Sequence, residues 1–166
     1  MILALSAVGA VVAALLELTL WPYLVIGGAH PHLVLVYVVV VAVVLGLDAG
    51  LASAFVGGLS LDLIAGRPLG SSTFALLVAA GLAVAIGHGL TQVRYLAPIV
   101  AVFVLSFVYS MIVAALYSAL AGPISLHDPV GELLPGVVYD AVIAAIVGPL
   151  AVSFRVRHLE QERVDW

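Results

Sequence analysis

Of the aspartates inside the long apolar stretches of this sequence, Asp62 and Asp140 are best placed to carry chemistry. Asp62 comes near the end of one such stretch, and Asp140 lies well inside the last one. An acid within a membrane span is costly, so it marks a functional-site hypothesis. The carboxyl of Asp140 could serve a proton or solute pathway. The alternatives are an ion pair or helix cap near Arg67 for Asp62, and a carboxyl that fastens helices together for Asp140.

Two histidines, His30 and His32, have the side chains of metal ligands. The intervening Pro31 favours an extended backbone, and neither an acid nor a thiol is near in sequence. The chain has no cysteine, which excludes thiol chemistry. No nucleophile elbow, phosphate-binding loop or paired-carboxylate motif is recognisable. We therefore predict no metal, no cofactor and no catalytic residue, and hence no enzyme.

Small residues recur at intervals of four in the middle of the chain. The row consists of Gly46, Gly50, Ala54, Gly58, Asp62 and Gly66. Where this segment is helical, Gly50, Ala54 and Gly58 share one face, on which another backbone can approach closely. Both packing inside the protein and docking of a helix from a separate protein remain open for this face.

The composition indicates whether the segments that carry these residues face water or lipid. Of 166 residues, 65% are hydrophobic and 8% are charged, against about 25% charged in a soluble domain. So few polar residues cannot cover a water-facing surface, which excludes a soluble globular protein and indicates a lipid bilayer. The net charge of −4 and the lack of lysine argue against nucleic-acid binding.

The fold class that follows is all-α: a polytopic membrane protein with a compact bundle of six transmembrane helices, two of them short. Residues 33–65 would make a helix of about 50 Å, which exceeds a hydrocarbon core of about 30 Å. We therefore predict a break at Asp48, Ala49 and Gly50. The expected single transmembrane domain covers residues 1–154, with spans at 1–20, 33–47, 50–64, 72–87, 95–120 and 133–154, followed by a cytoplasmic tail at 155–166.

The arginines predict the orientation, because short cytoplasmic loops retain basic residues. Six spans place Arg67 alone on one side and four arginines on the other, namely Arg94, Arg155, Arg157 and Arg163. Both termini are then cytoplasmic. A five-span alternative, with residues 33–65 as one helix, leaves the arginines in place and moves only the N-terminus.

Residues 57–83 read GGLSLDLIAGRPLGSSTFALLVAAGLA and resemble the signature of MreD, a small rod-shape-determining membrane protein family of bacteria. The resemblance is carried by Gly58, Leu59, Asp62, Gly66, Pro68, Leu69 and Gly70. Residues 18–22 and 31–35 resemble the family's entry into its second span. Tyr139 and Asp140, before a last helix that ends in Arg155 and Arg157, resemble its C-terminus. Three residues depart from the family pattern. The family often has an acid at the position of His32, and it more often has neutral polar or basic residues at the positions of Asp48 and Asp140.

The resemblance implies a non-catalytic scaffold of the cell-elongation machinery in the bacterial inner membrane. Its implied partners are MreC, the filament protein MreB, and RodA with its penicillin-binding transpeptidase. From the row of small residues, the two aspartates and the resemblance together, the residues predicted in partner binding or helix packing are Gly50, Ala54, Gly58, Asp62, Gly66, Pro68, Gly70 and Asp140.

A solute-binding subunit of an energy-coupling-factor vitamin transporter is the alternative, because it is similar in size and helix number. Ala10 and Ala14 fit the small residues through which such subunits dock. A vitamin binder should present converging polar and aromatic groups, whereas the outer connections of this chain offer chiefly His127, Asp128 and Glu132.

Overall fold

The computed structural model describes residues 2–20, 23, 30–89, 96–120 and 129–161, with the backbone alone for 129–132 and 154–161. These residues form six helices and no strand, so the all-α prediction is confirmed. The helices are α1 (Ile2–Leu20), α2 (Leu33–Leu45), α3 (Leu47–Ile64), α4 (Ser71–Gly89), α5 (Ala97–Leu120) and α6 (Pro129–Gln161). The predicted start of the fifth span at residue 95, Arg94, His127, Asp128 and residues 162–166 lie outside the described part.

Five of these helices contain segments that are long and apolar enough to cross a membrane. They are α1, α3, α4, α5 and, within α6, Leu133–Ser153. Helix α2 has 13 residues and is about 20 Å long, which is less than the hydrocarbon thickness. Helix α3 has 18 residues, so the prediction of two short helices is wrong for α3.

The break between α2 and α3 falls at Gly46, earlier than the predicted Asp48, Ala49 and Gly50. Gly46 has φ 100° and ψ −178°, a backbone conformation that L side chains rarely adopt. Its N–H donates to Ala42 O at 3.1 Å and ends α2, while its carbonyl accepts the Gly50 N–H at 3.0 Å and begins α3. Asp48 then lies in the first turn of α3, where the helix dipole favours a negative charge.

Helix α2 is the centre of the bundle and contacts each of the other five helices. Its sequence, LVLVYVVVVAVVL, is apolar all round, which is typical of a helix buried on every side. Nine of its 13 residues are buried. Because α2 is both short and surrounded, its N-terminus must find hydrogen-bond partners inside the protein.

The six helices run alternately up and down. Val34 at the start of α2 therefore lies beside Glu17 at the end of α1, and Ser72 at the start of α4 lies beside Asp62 at the end of α3. The N-termini of α2 and α4 consequently meet at one end of the bundle. This polar end is defined by Glu17, His32, Asp62, Arg67, Ser72, Ser106, Tyr109 and Asp140.

Candidate functional site

The N-termini of α2 and α4 need hydrogen-bond acceptors at the polar end. The first backbone N–H groups of a helix have no partner within the helix, and a lipid environment offers no water to replace one. A carboxylate is a suitable partner because it accepts several hydrogen bonds and its charge favours the positive end of the helix dipole. Buried acids at this end of the bundle can therefore serve as caps.

Asp62 caps helix α4 from the end of α3, and only 1% of its surface is exposed. One carboxylate oxygen, Oδ1, accepts the Ser72 N–H at 3.0 Å and the Ser71 hydroxyl at 3.3 Å. The other oxygen, Oδ2, accepts the Gly70 N–H at 2.9 Å. It also accepts the Thr73 N–H at 3.3 Å and the Thr73 hydroxyl at 3.0 Å. A single side chain thus accepts hydrogen bonds from the backbone N–H groups and hydroxyls in the first turn of a neighbouring helix.

The turn between α3 and α4 returns the chain to this carboxylate. Gly66 has φ 62° and Gly70 has φ 93°, and both lie in the left-handed region. Between them, the Pro68 carbonyl accepts the Ser71 N–H at 3.1 Å. The Arg67 guanidinium donates to the Ser72 hydroxyl at 3.3 Å, and its backbone N–H donates to the Asp62 carbonyl at 3.0 Å. Of the two alternatives drawn from the sequence for Asp62, the geometry favours a cap over an ion pair with Arg67.

Close approach of α3 and α4 brings Asp62 within reach of these N–H groups. A Cβ on Gly58 would lie against the Cα of Thr73 and 2.8 Å from its backbone nitrogen. Gly50, two turns earlier, faces α2 instead, where a Cβ would lie 2.6 Å from the Ala42 Cβ. Ala54 is fully buried between them. The small residues therefore meet two different helices of the same chain, and Gly66 lies beyond the end of α3.

Asp140 is fully buried and joins three helices. Its Oδ1 accepts the backbone N–H of His32, the N-cap residue of α2, at 2.7 Å. Its Oδ2 lies 2.9 Å from the His32 Nδ1 and 2.5 Å from the Ser106 hydroxyl on α5. The sequence analysis missed His32 as the partner of Asp140, because 108 residues separate the two.

The His32 ring links this cluster to aromatic and polar neighbours. It stands edge-on to Tyr109, with ring centroids 5.3 Å apart, and the Tyr109 hydroxyl lies beside Ser72. Burial opposes protonation of His32, but the hydrogen bond and negative charge of Asp140 outweigh it, and the pKa of His32 is raised. Burial, followed by the charge of His32, lowers the pKa of His30 to about 4. The described residues contain no group of three or more side chains that could hold a metal ion.

Glu17 is the third acid at the polar end, and the sequence analysis did not single it out. It is 3% exposed, and its Oε2 accepts the Val34 N–H in the first turn of α2 at 2.9 Å. Within the described structure its Oε1 has no hydrogen-bond partner. An acid in the first apolar stretch was a signal that could have been used, since it is costly in a span.

The three acids share one arrangement, although they come from three different helices. Glu17 and Asp140 accept N–H groups at the start of α2, and Asp62 accepts those at the start of α4. This use of carboxylates is structural, because it supplies acceptors that two buried helix ends need. The polar end also draws together residues of all six helices, so its hydrogen bonds fix how the bundle is assembled.

Comparison with known families gives a match that covers nearly the whole chain. Residues 2–155 match the family of the rod shape-determining protein MreD. Neither the curated proteins nor the solved structures give a match. The apolar helices make this chain a multi-pass membrane protein, and the family is one of structural proteins with a role in determining rod shape. The chain belongs to the MreD family.

Proposed function

We propose that this protein is a non-catalytic scaffold of the cell-elongation machinery, which binds MreC and connects it to MreB and to RodA with its transpeptidase. The family match over residues 2–155 carries this proposal. The use of Glu17, Asp62 and Asp140 as helix caps supports it, because these carboxylates hold the fold together. The transporter alternative depended on size, helix number and the spacing of Ala10 and Ala14, and the family match over residues 2–155 favours the scaffold over it.

The residues implied in packing or partner binding receive a packing role in this proposal. Gly50, Ala54 and Gly58 lie against helices of the same chain or are buried, which leaves no room for a separate helix on that face. Gly66, Pro68 and Gly70 shape the turn that returns the chain to Asp62. Partners then dock on the outward apolar faces. Candidates on α1 and α6 are Leu5, Val8, Leu15, Val142 and Ile146.

The proposed topology has six spans in the inner membrane, with both termini cytoplasmic and α2 as the short central span. The polar end then faces away from the cytoplasm. Because the chain has no cysteine, single cysteines at Ile2, which is exposed, and at Ser125 and Ser153 can be labelled from outside without a background signal. Labelling only at position 125 is the expected result. Labelling at position 2 would favour five spans.

Co-purification tests the proposed partners. A tagged copy replaces the native protein, membranes are solubilised, and MreC, MreB and RodA are measured in the eluate while cell shape is recorded. We expect MreC to be retained and rod shape to be maintained. Val8→Trp on the outward face of α1 and Val142→Trp on α6 then locate the docking face, with Phe74→Trp on α4 as a matched exposed control. Rod shape maintained without any MreC in the eluate would contradict the proposal.

A further inference from the structure

The hydrogen bonding of the acids at the polar end is complete except at one atom. Both oxygens of Asp62 and both oxygens of Asp140 accept hydrogen bonds. Glu17 Oε2 accepts the Val34 N–H, but Oε1 has no partner among the described residues. A carboxylate oxygen that is buried without a donor is costly, because it loses its hydration without replacement. This position therefore lacks a hydrogen-bond donor.

The acids at the polar end also outnumber the cations among the described residues. In the part of the chain that the structure describes, the polar end holds three acids, Glu17, Asp62 and Asp140, and two cations, Arg67 and, when protonated, His32. His30 is neutral at physiological pH because its pKa is about 4. Within the described structure, Glu17 and Asp62 have no charged hydrogen-bond partner. Asp62 accepts five hydrogen bonds, whereas Glu17 accepts one and leaves Oε1 without a donor.

We propose that Glu17, at the polar end, binds a primary ammonium group. Such a group supplies both of the missing features, because it carries one positive charge and three N–H donors. A buried water would supply a donor but no charge. The chain contains no lysine, so the ammonium group comes from another molecule. This inference is independent of the partners proposed above.

The position of Glu17 indicates two sources for the ammonium group. Glu17 lies in the last turn of α1, at the end of a segment long enough to span the bilayer. A lipid headgroup is one source, because phosphatidylethanolamine presents a primary ammonium group. A small soluble amine that reaches the same end of the bundle offers the same chemistry.

Thermal unfolding of the purified protein tests the proposal with paired probes. Phosphatidylethanolamine is compared with phosphatidylcholine in mixed micelles, and free ethanolamine with free choline. Choline and its lipid carry the positive charge without N–H donors. We expect the ammonium probes to raise the Tm and the choline probes to leave it unchanged. A response to free ethanolamine assigns a soluble amine, whereas a response to the lipid alone assigns a headgroup.

Two variants connect the response to Glu17. Glu17→Gln removes the charge and keeps an acceptor for Val34, so we expect an affinity for the probe about 10- to 100-fold lower, as for one lost hydrogen bond to a charged group. Asp48→Asn, at an exposed acid at the opposite end of the bundle, should respond as the wild type does. The comparison of wild-type protein with the two lipids remains decisive if Glu17→Gln does not fold.

Three results would overturn the proposal. The first is an equal response of the wild type to ethanolamine and choline lipids, because the site would then need no N–H donor. The second is an unchanged response in Glu17→Gln. The third is no response to any ammonium probe, which would leave water at Glu17.

Discussion

Asp62→Ala tests the role of buried acids in this fold. The substitution removes both acceptors at the start of α4, and Ser72 and Thr73 are buried there. Their N–H groups would each lose a partner at a cost of about 1–3 kcal/mol. Gly70 is exposed, so water can replace its partner, and the hydroxyls of Ser71 and Thr73 can rotate to other acceptors. Because the Thr73 N–H hydrogen bond is long at 3.3 Å, its loss counts at the low end, and we expect a total loss of about 2–4 kcal/mol in the free energy of unfolding.

A loss of this size is measurable in detergent. For a chain of this length, 1 kcal/mol corresponds to about 2–4 °C in Tm, so Asp62→Ala should melt about 5–15 °C lower than the wild type. The protein is heated in aliquots, and the fraction that still elutes as a single species is measured by size-exclusion chromatography. Asp62→Asn keeps one carbonyl acceptor and should have an intermediate Tm. Thr73→Val removes one hydroxyl donor to Asp62, so it should lower the free energy of unfolding less in the Asp62→Ala background than in the wild type.

Asp48→Ala is the matched control, because Asp48 is also an acid in the first turn of a helix but is exposed. Its Tm should change little, since water replaces the lost side chain. If Asp62→Ala melts within about 2 °C of Asp48→Ala, the reasoning is refuted, and the caps at the polar end do not stabilise the bundle.

The remaining predictions concern packing, pH and the second cap. Gly58→Ala should lower stability by about 1–3 kcal/mol because its Cβ would press on the backbone of Thr73, whereas Gly81→Ala, which has open space, should leave the Tm unchanged or slightly higher. Equal melting of the two would contradict the close approach of α3 and α4. The raised pKa of His32 stabilises the fold fully below about pH 6.5, and this contribution is lost as the pH rises through the raised pKa. The Tm of the wild type should therefore fall between mildly acidic and alkaline pH by more than that of His32→Gln, and parallel profiles would refute this. Asp140→Asn should lower the free energy of unfolding by about 1 kcal/mol and Asp140→Leu by about 3 kcal/mol, because leucine leaves the His32 N–H without an acceptor. The leucine variant should therefore have the lower Tm. A leucine variant as stable as the asparagine variant would argue against a helix-fastening role.

Composition and hydropathy determined the class of this protein. With 8% charged residues there is too little polar surface for water, and apolar stretches of span length are necessarily helical because lipid leaves backbone groups no external partner. The six described helices overlap the stretches in which spans were predicted, and α6 extends beyond its stretch at both ends. The motif around Asp62 also identified the family, since its glycines, proline and acid are close in sequence.

The break between α2 and α3 shows where local reasoning was insufficient. Asp48, Ala49 and Gly50 contain a polar residue and a glycine, but the chain turns at Gly46, where the backbone φ of 100° requires glycine. Sequence alone gave several glycines that could supply this conformation. The fit of α2 between its neighbours selected Gly46, because the burial of nine valine, leucine and alanine side chains depends on the length of α2.

The partners of the buried acids were decided by the tertiary structure. Asp62 and its acceptor role could be anticipated, because the N–H groups it binds follow within 11 residues. The pairing of Asp140 with His32 spans 108 residues, and that of Glu17 with Val34 crosses between helices. A sequence shows that an acid in a membrane span needs a partner, but only the packing of helices determines which donor reaches it. The cost of burying an unpaired charge is a local property of the residue, whereas the donor that removes this cost is a property of the whole bundle.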